Sequence, residues 1–184
     1  MDQPSIETDR LILRPFTVDD APDVQRLAGD RAVADTTLLI PHPYPDGLAE
    51  DWITTHRPVF QAGEGAVFAI TRRDDGALVG AIGLSITPAH QRAEMGYWVG
   101  RPYWNQGYAT EAAAAALDYG FHTLRLNRVH AHHFARNPAS GRVLEKIGMK
   151  AEGVAPQHVK KKDRFEDLAL YGLCRDEYDT ASST

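Results

Sequence analysis

The residues best suited to hold an anion lie between Glu94 and Ala116. They read Glu-Met-Gly-Tyr-Trp-Val-Gly-Arg-Pro-Tyr-Trp-Asn-Gln-Gly-Tyr-Ala-Thr-Glu, followed by five alanines. Gly107 precedes a run of strong helix formers that begins at Tyr108. Without a Cβ it lets a ligand approach the backbone closely. The amides of Gln106 to Glu111 are then unpaired at a helix start, where their partial positive charge suits a phosphate. The stretch lacks the Gly-Lys-Ser/Thr ending of a nucleoside triphosphate loop and the three-glycine dinucleotide fingerprint. On these residues alone, an ordinary strand–turn–helix corner accounts for it about as well.

Other chemistry-bearing groups are weaker. His130 and His132 share one strand face beside His133, as metal ligands do, but no further ligand is spaced to complete a site, so no metal is expected. Cys174, the single cysteine, follows the apolar run Leu170 to Leu173 and reads as a small hydrophobe rather than a nucleophile. One cysteine forms no internal disulfide, which fits a reducing cytoplasm.

The elements that must position these groups follow from pattern. A length of 184 residues, 43% hydrophobic, suits one domain with a sizeable core. The net charge of -5 speaks against a nucleic-acid partner. No apolar run is long enough to span a membrane, and no signal peptide is read at the N-terminus. A strand over residues 6 to 16 stops at Pro15, and Thr17 with Asp20 caps a helix that runs to Ala28. Residues 30 to 45, with three prolines near their end, form an extended loop. Asp46 caps a helix from Gly47 to Gln61, which Pro58 kinks or ends. Strands follow at Ala66 to Arg72, Leu78 to Ile86 and Glu94 to Val99. A long helix runs to about Leu124, then a strand from Arg128 to Phe134. Asn137 or Pro138 starts the next helix, which Gly148 ends. Two strands between Ala151 and Leu173 flank Lys161-Lys-Asp-Arg, with Lys160 to Lys162 read as a solvated hairpin tip.

Several of these stretches resemble one family. Trp104, Gly107 and Ala109 stand where the Gcn5-related N-acetyltransferases (GNAT) carry Gln/Arg-x-x-Gly-x-Gly/Ala, with Trp104 in place of the usual Gln or Arg. Residues 8 to 21, Thr-Asp-Arg-Leu-Ile-Leu-Arg-Pro-Phe-Thr-Val-Asp-Asp-Ala, resemble the N-terminal signature of the RimJ/RimL-type branch, which acetylates ribosomal-protein N-termini. Asn137-Pro-Ala-Ser-Gly-Arg-Val-Leu-Glu-Lys-Ile-Gly-Met is similar to the family's Asn-x-x-Ser helix, with Met149 for its Phe. Asp167 to Leu173 resembles its last strand.

The resemblance implies an α/β fold, a mostly antiparallel, splayed sheet of six to seven strands flanked by about four helices. It covers one domain over residues 1–178, leaving 179–184 as a disordered tail. The implied donor is acetyl-coenzyme A, without a metal. Its pantetheine arm would pair with the strand edge at Tyr97, Trp98 and Val99, and its pyrophosphate with Asn105, Gln106, Gly107, Tyr108, Ala109 and Thr110. Asn137 would bind the arm and Arg142 the adenosine or phosphate end, unless Arg142 is a plain solvated residue. Ser140 matches the branch's hydroxyl near the thiol sulfur and is cast as proton donor; a helix first-turn role fits it equally. Glu94 is the candidate base, or else a strand carboxylate paired with Arg92 or another base; His42 and His56 are further candidates. The first-choice acceptor is a protein N-terminal α-amine. The alternatives are a small-molecule amine such as an antibiotic or polyamine, and a non-catalytic acyl-coenzyme A sensor. The resemblance also allows a homodimer, which no stretch of the sequence marks.

Overall fold

The computed structural model describes residues 2–182. Two short strands open the chain, β1 (Ile6–Glu7) and β2 (Leu11–Arg14). Leu11 and Leu13 are fully buried while their neighbours are half-buried, the period-two pattern of a strand with one face on a core. Arg14 clamps Asp20 with two hydrogen bonds of 2.8 and 2.7 Å, and the Thr17 amide donates to the same carboxylate at 2.8 Å. This cap leads through one 3-10 turn into α1 (Ala21–Ala28).

Helix α2 (Arg31–Ala34) is a single turn inside the segment expected to be extended; the Asp30 side chain caps it by accepting from the Ala32 amide at 2.7 Å. The expected helix from Gly47 to Gln61 is divided into α3 (Leu48–Thr54) and α4 (His56–Gln61). The break falls where the Pro58 ring would meet the carbonyl of Thr54, four residues before it.

The strands β3 (Gly65–Arg72), β4 (Leu78–Thr87) and β5 (Arg92–Val99) form an antiparallel meander. Helix α5 (Tyr108–Asp118) follows and widens into a π turn over Tyr119–Thr123. Then come β6 (Arg128–Phe134), α6 (Pro138–Lys146), β7 (Lys150–Lys161), β8 (Arg164–Cys174) and α7 (Arg175–Ser182).

The sheet order is β1-β2-β3-β4-β5-β6-β8-β7, eight strands among the described residues rather than six or seven, because a turn after Glu7 separates β1 from β2. Helices exceed the expected four through α2, the split at Pro58, and α7. Residues 179–182 are helical and not a tail. The Tyr178 ring packs on Phe121 at 5.1 Å, and His122 Nε2 lies 3.3 Å from Asp179. Residues 183–184 lie outside the described residues.

One pairing in the sheet is parallel, β5 with β6, and it lasts three rungs: Arg92–Arg128, Ala93–Val129 and Glu94–His130. Beyond Glu94 the two strands separate, so the sheet opens into a wedge. The two faces of β5 meet different cores. Met95 and Tyr97 pack with the α5 and α6 side, alongside Ala112, Ala116 and Leu144. Trp98 packs on the other face with the α1 and α3 side, among Leu27, Tyr44 and Trp52.

Candidate active site

Strand alternation decides which groups of β5 face the gap. The Gly100 amide donates to Val79 of β4 at 2.8 Å. Counting back in twos along an unbulged strand, the amides and carbonyls of Trp98 and Gly96 also point to β4, and those of Tyr97 and Val99 point into the gap. Tyr97 and Val99 therefore sit at the open edge as the sequence suggests. Trp98 does not: its backbone belongs to the β4 ladder and its ring lies on the opposite face. Trp104 has a role of its own, since its indole N–H donates to the Val99 carbonyl at 2.7 Å and fixes the end of the strand.

The turn before α5 is built from left-handed residues. Asn105 has φ +60° and Gly107 φ +83°, with Gly107 the N-cap. The first intrahelical bond runs from the Glu111 amide to the Gly107 carbonyl at 3.0 Å, leaving the amides of Tyr108, Ala109 and Thr110 ahead of it. Gln106 stands apart from the other predicted residues. Its side chain turns back to the Pro102 carbonyl at 2.9 Å, and it is absent from the cleft lining.

Arg10 holds this turn from the far side, which sequence reasoning missed. Its Nη1 donates to the Gln106 carbonyl at 2.9 Å and its Nε to Glu111 Oε2 at 2.7 Å. Its backbone amide and the Thr8 hydroxyl both reach Glu111 Oε1, at 2.8 and 2.7 Å. The guanidinium lies 4.9 Å over the Tyr108 ring. Pulling the Gln106 carbonyl outward leaves the neighbouring amides turned to the cleft. The only sequence signal was that Arg10 and Gly107 fall in two separately recognisable motifs; nothing in their spacing joins them.

A cleft of about 860 Å³ runs through the wedge. It is lined by Glu94, Tyr97, Trp98, Val99, Asn105, Gly107, Tyr108, Ala109, Thr110, Asn137, Ser140 and Arg142, so Glu94, Ser140 and every predicted coenzyme residue except Gln106 meet there. Asn137 is the N-cap of α6 yet makes no side-chain cap bond, which keeps its amide group for the cleft. Arg142 is exposed at the rim. Ser140 Oγ lies 2.7 Å from the Tyr97 phenol oxygen, and the phenol also reaches the Ser140 carbonyl at 3.2 Å. Burial pushes the Tyr97 phenol up to about 12, so it stays protonated at neutral pH.

On the other side of the strand stands Glu94, half-buried, with His132 Nδ1 at 3.4 Å from its Oε1. Its neighbour is thus a histidine across the wedge and not Arg92. The remaining histidines are placed elsewhere. His42 bonds the Gly29 carbonyl at 3.0 Å. His56 is buried under Phe16 and Trp52, with neither ring nitrogen partnered, away from the cleft. His130 is half-buried on the last paired rung, and burial lowers its pKa. No group of three or more metal-ligating side chains occurs among the described residues.

The hairpin tip also differs from expectation. Lys161 is half-buried rather than a free tip: its ammonium donates to the carbonyls of Ala34, Thr37 and Ile40, tying the β7–β8 turn to the loop after α2.

Comparison with known proteins places this geometry. The family model described as Acetyltransferase (GNAT) domain matches residues 10–150. The chain belongs to the GNAT acetyltransferases. The Bacillus subtilis protein named uncharacterized N-acetyltransferase YoaA is 33% identical over 173 residues, which cover 94% of this GNAT chain and 97% of YoaA. The Escherichia coli [ribosomal protein uS5]-alanine N-acetyltransferase is 26% identical over 178 residues, covering 91% of this chain and 89% of that one. Among solved structures, a GNAT-family acetyltransferase from Bacillus anthracis superposes with a TM-score of 0.85 at 27% identity, covering 95% of this chain and all of that one. Mycobacterium smegmatis RimJ in complex with coenzyme A disulfide superposes with a TM-score of 0.79 at 24% identity, over 91% and 83% of the two chains. No helix among the described residues is long and apolar enough to cross a membrane.

Proposed function

We propose that this N-acetyltransferase moves an acetyl group from acetyl-coenzyme A directly to a primary amine, and that the amine is a protein N-terminal α-amine. The observation that carries the reading is the division of labour across β5: Glu94 on one face of the strand, Tyr97 and Ser140 on the other, with the open edge between them. The donor set fits the coenzyme. Amides at a left-handed turn suit a pyrophosphate, and the gap-facing peptide groups of Tyr97, with the Val99 amide, suit an extended amide arm. Bound there, acetyl-coenzyme A supplies a thioester whose carbonyl carbon accepts the amine.

The chain's own groups then have three tasks. Glu94 takes the proton of the incoming ammonium, directly or through one water, so that the nitrogen lone pair is free to form the C–N bond. A gap-facing amide of β5 donates to the carbonyl oxygen as negative charge develops on it. As the C–S bond breaks, Ser140 gives a proton to the sulfur while the nitrogen loses its second proton, which returns through water to restore the serine hydroxyl, with Tyr97 hydrogen-bonded behind it. An α-amine has a pKa of about 8 and needs only modest help at neutral pH, whereas a lysine amine near 10.4 needs far more. The α-amine thus places the smaller demand on Glu94, which supports it as the acceptor. The similarity to the Escherichia coli uS5-alanine enzyme supports it as well.

The test is a peptide carrying both a free N-terminus and an internal lysine, incubated with acetyl-coenzyme A and fragmented by mass spectrometry. Acetyl on the N-terminal residue is expected. Acetyl on lysine alone would overturn the choice of acceptor and leave the transfer chemistry standing.

A further inference from the structure

The acceptor face of the cleft has a composition that acetyl transfer by itself does not explain. Glu94 is the only carboxylate among the described residues lining the cleft. Its immediate neighbours are polar, His132 at 3.4 Å and Ser85 across the ladder, but another part of the cleft is apolar: Ile40, Tyr44, Trp52 and Trp98 pack with one cluster, and Leu38 and Leu39 line the same cleft. Leu39 is 89% exposed, more than any other large apolar side chain among the described residues. A lone exposed leucine is ordinary. This one sits in a segment whose backbone is pinned, because the Lys161 ammonium donates to the carbonyls of Ala34 at 2.5 Å, Ile40 at 3.1 Å and also Thr37. Partial burial lowers the Lys161 pKa. The loop therefore holds Leu38 and Leu39 out as a wall instead of folding them into the core.

We infer that the acceptor carries an apolar group beside its amine, and that the Lys161-held loop from Thr36 to Pro41 receives that group while Glu94 faces the amine. The inference rests on the acetyl-transfer reading and narrows its acceptor. One carboxylate complements one ammonium. A diamine or polyamine would bring a second ammonium against the apolar side chains of Leu38 and Leu39, with no carboxylate of the cleft to meet it. An N-terminal glycine would leave the wall uncovered. A leucine or similar side chain would cover it, and pockets of this kind discriminate by roughly tenfold or more per few methylenes.

The experiment measures thiol release from acetyl-coenzyme A with leucine-led and glycine-led peptides of otherwise identical sequence, and with 1,4-diaminobutane. The leucine-led peptide is expected to show a kcat/KM at least about tenfold above both others. In Leu39→Asp, whose exposed position leaves the fold intact by circular dichroism, that peptide should lose most of its advantage and the diamine should gain. Equal use of the glycine-led peptide, or preference for the diamine by the unaltered protein, overturns the inference and leaves acetyl transfer standing. Thiol release with none of the three, while calorimetry shows acetyl-coenzyme A bound, removes the acetyl-transfer reading and this inference with it.

Discussion

The Tyr97 phenol and the Ser140 hydroxyl lie 2.7 Å apart, joining the open edge of β5 to the first turn of α6. The pair has two arrangements of its hydrogens. The Ser140 carbonyl, 3.2 Å from the phenol oxygen, can only accept. When the phenol donates to that carbonyl, the serine hydroxyl is left to donate to the phenol. When the phenol donates to Ser140 Oγ, the serine proton is free to point at a sulfur in the cleft. Tyr97 thus sets which way Ser140 faces.

Replacing Ser140 by Ala is expected to lower kcat by roughly a hundredfold, and Tyr97 by Phe by roughly tenfold. The double variant should be no slower than Ser140→Ala alone, because the tyrosine acts through the serine. Steady-state rates with saturating acetyl-coenzyme A give the comparison. Two independent, multiplying losses would contradict the coupling.

Arg10 predicts a different signature. Arg10→Ala releases the Gln106 carbonyl and the Glu111 carboxylate, so the turn before α5 loses its fixed shape. Coenzyme A should bind about tenfold more weakly, or about 1.4 kcal/mol, with little change in the acceptor KM. Isothermal titration with coenzyme A measures the first and initial rates the second. Since the Arg10 side chain is half exposed, little loss of melting temperature is expected.

Lys161→Met should separate the two halves of the cleft in the opposite sense. Loosening the loop after α2 is expected to raise the acceptor KM severalfold while the coenzyme Kd stays unchanged. A weaker coenzyme with an unaltered acceptor KM would show that the Lys161 contacts do not serve the acceptor side.

His56 gives a stability prediction with a definite sign. Burial with no hydrogen-bond partner lowers its pKa to about 4 in the folded chain, against about 6.5 when unfolded. Between these values the unfolded chain binds more protons. Its stabilising share is whole above pH 6.5 and erodes as the pH falls toward 4. Between pH 7 and pH 5 this amounts to about 2 kcal/mol. Urea unfolding at the two pH values should show that loss in the native protein and a clearly smaller one in His56→Phe, which keeps a ring against Trp52. Equal losses would show that His56 does not titrate as described.

Local pattern carried most of the architecture. Period-two burial in β2, the Thr17–Asp20 cap and the helix-forming alanines after Gly107 are all short-range signals, and each element formed where its residues indicated. The turn before α5 was legible for the same reason, since it depends on one glycine and a helix start. What the sequence could not carry were contacts between distant segments. Arg10 meets Gln106 across 96 positions, and Lys161 meets Ala34 across 127. A lysine among three lysines looks like a solvated tip until its partner loop is in place. Trp98 failed differently: strand membership was plain, but which way its peptide groups point depends on the pairing with β4. The helical end of the chain, α7, is polar by composition and is docked through Tyr178 and Asp179, which no local periodicity announces.

The most direct test of the account is thiol release from acetyl-coenzyme A with and without an N-terminal peptide, run beside a calorimetric titration of the coenzyme. The account predicts one coenzyme bound per chain, negligible release without amine, and release matching the acetyl-peptide formed when amine is present. Absence of coenzyme binding would contradict the reading of the wedge between β5 and β6, and thiol release that does not depend on the amine would contradict direct transfer.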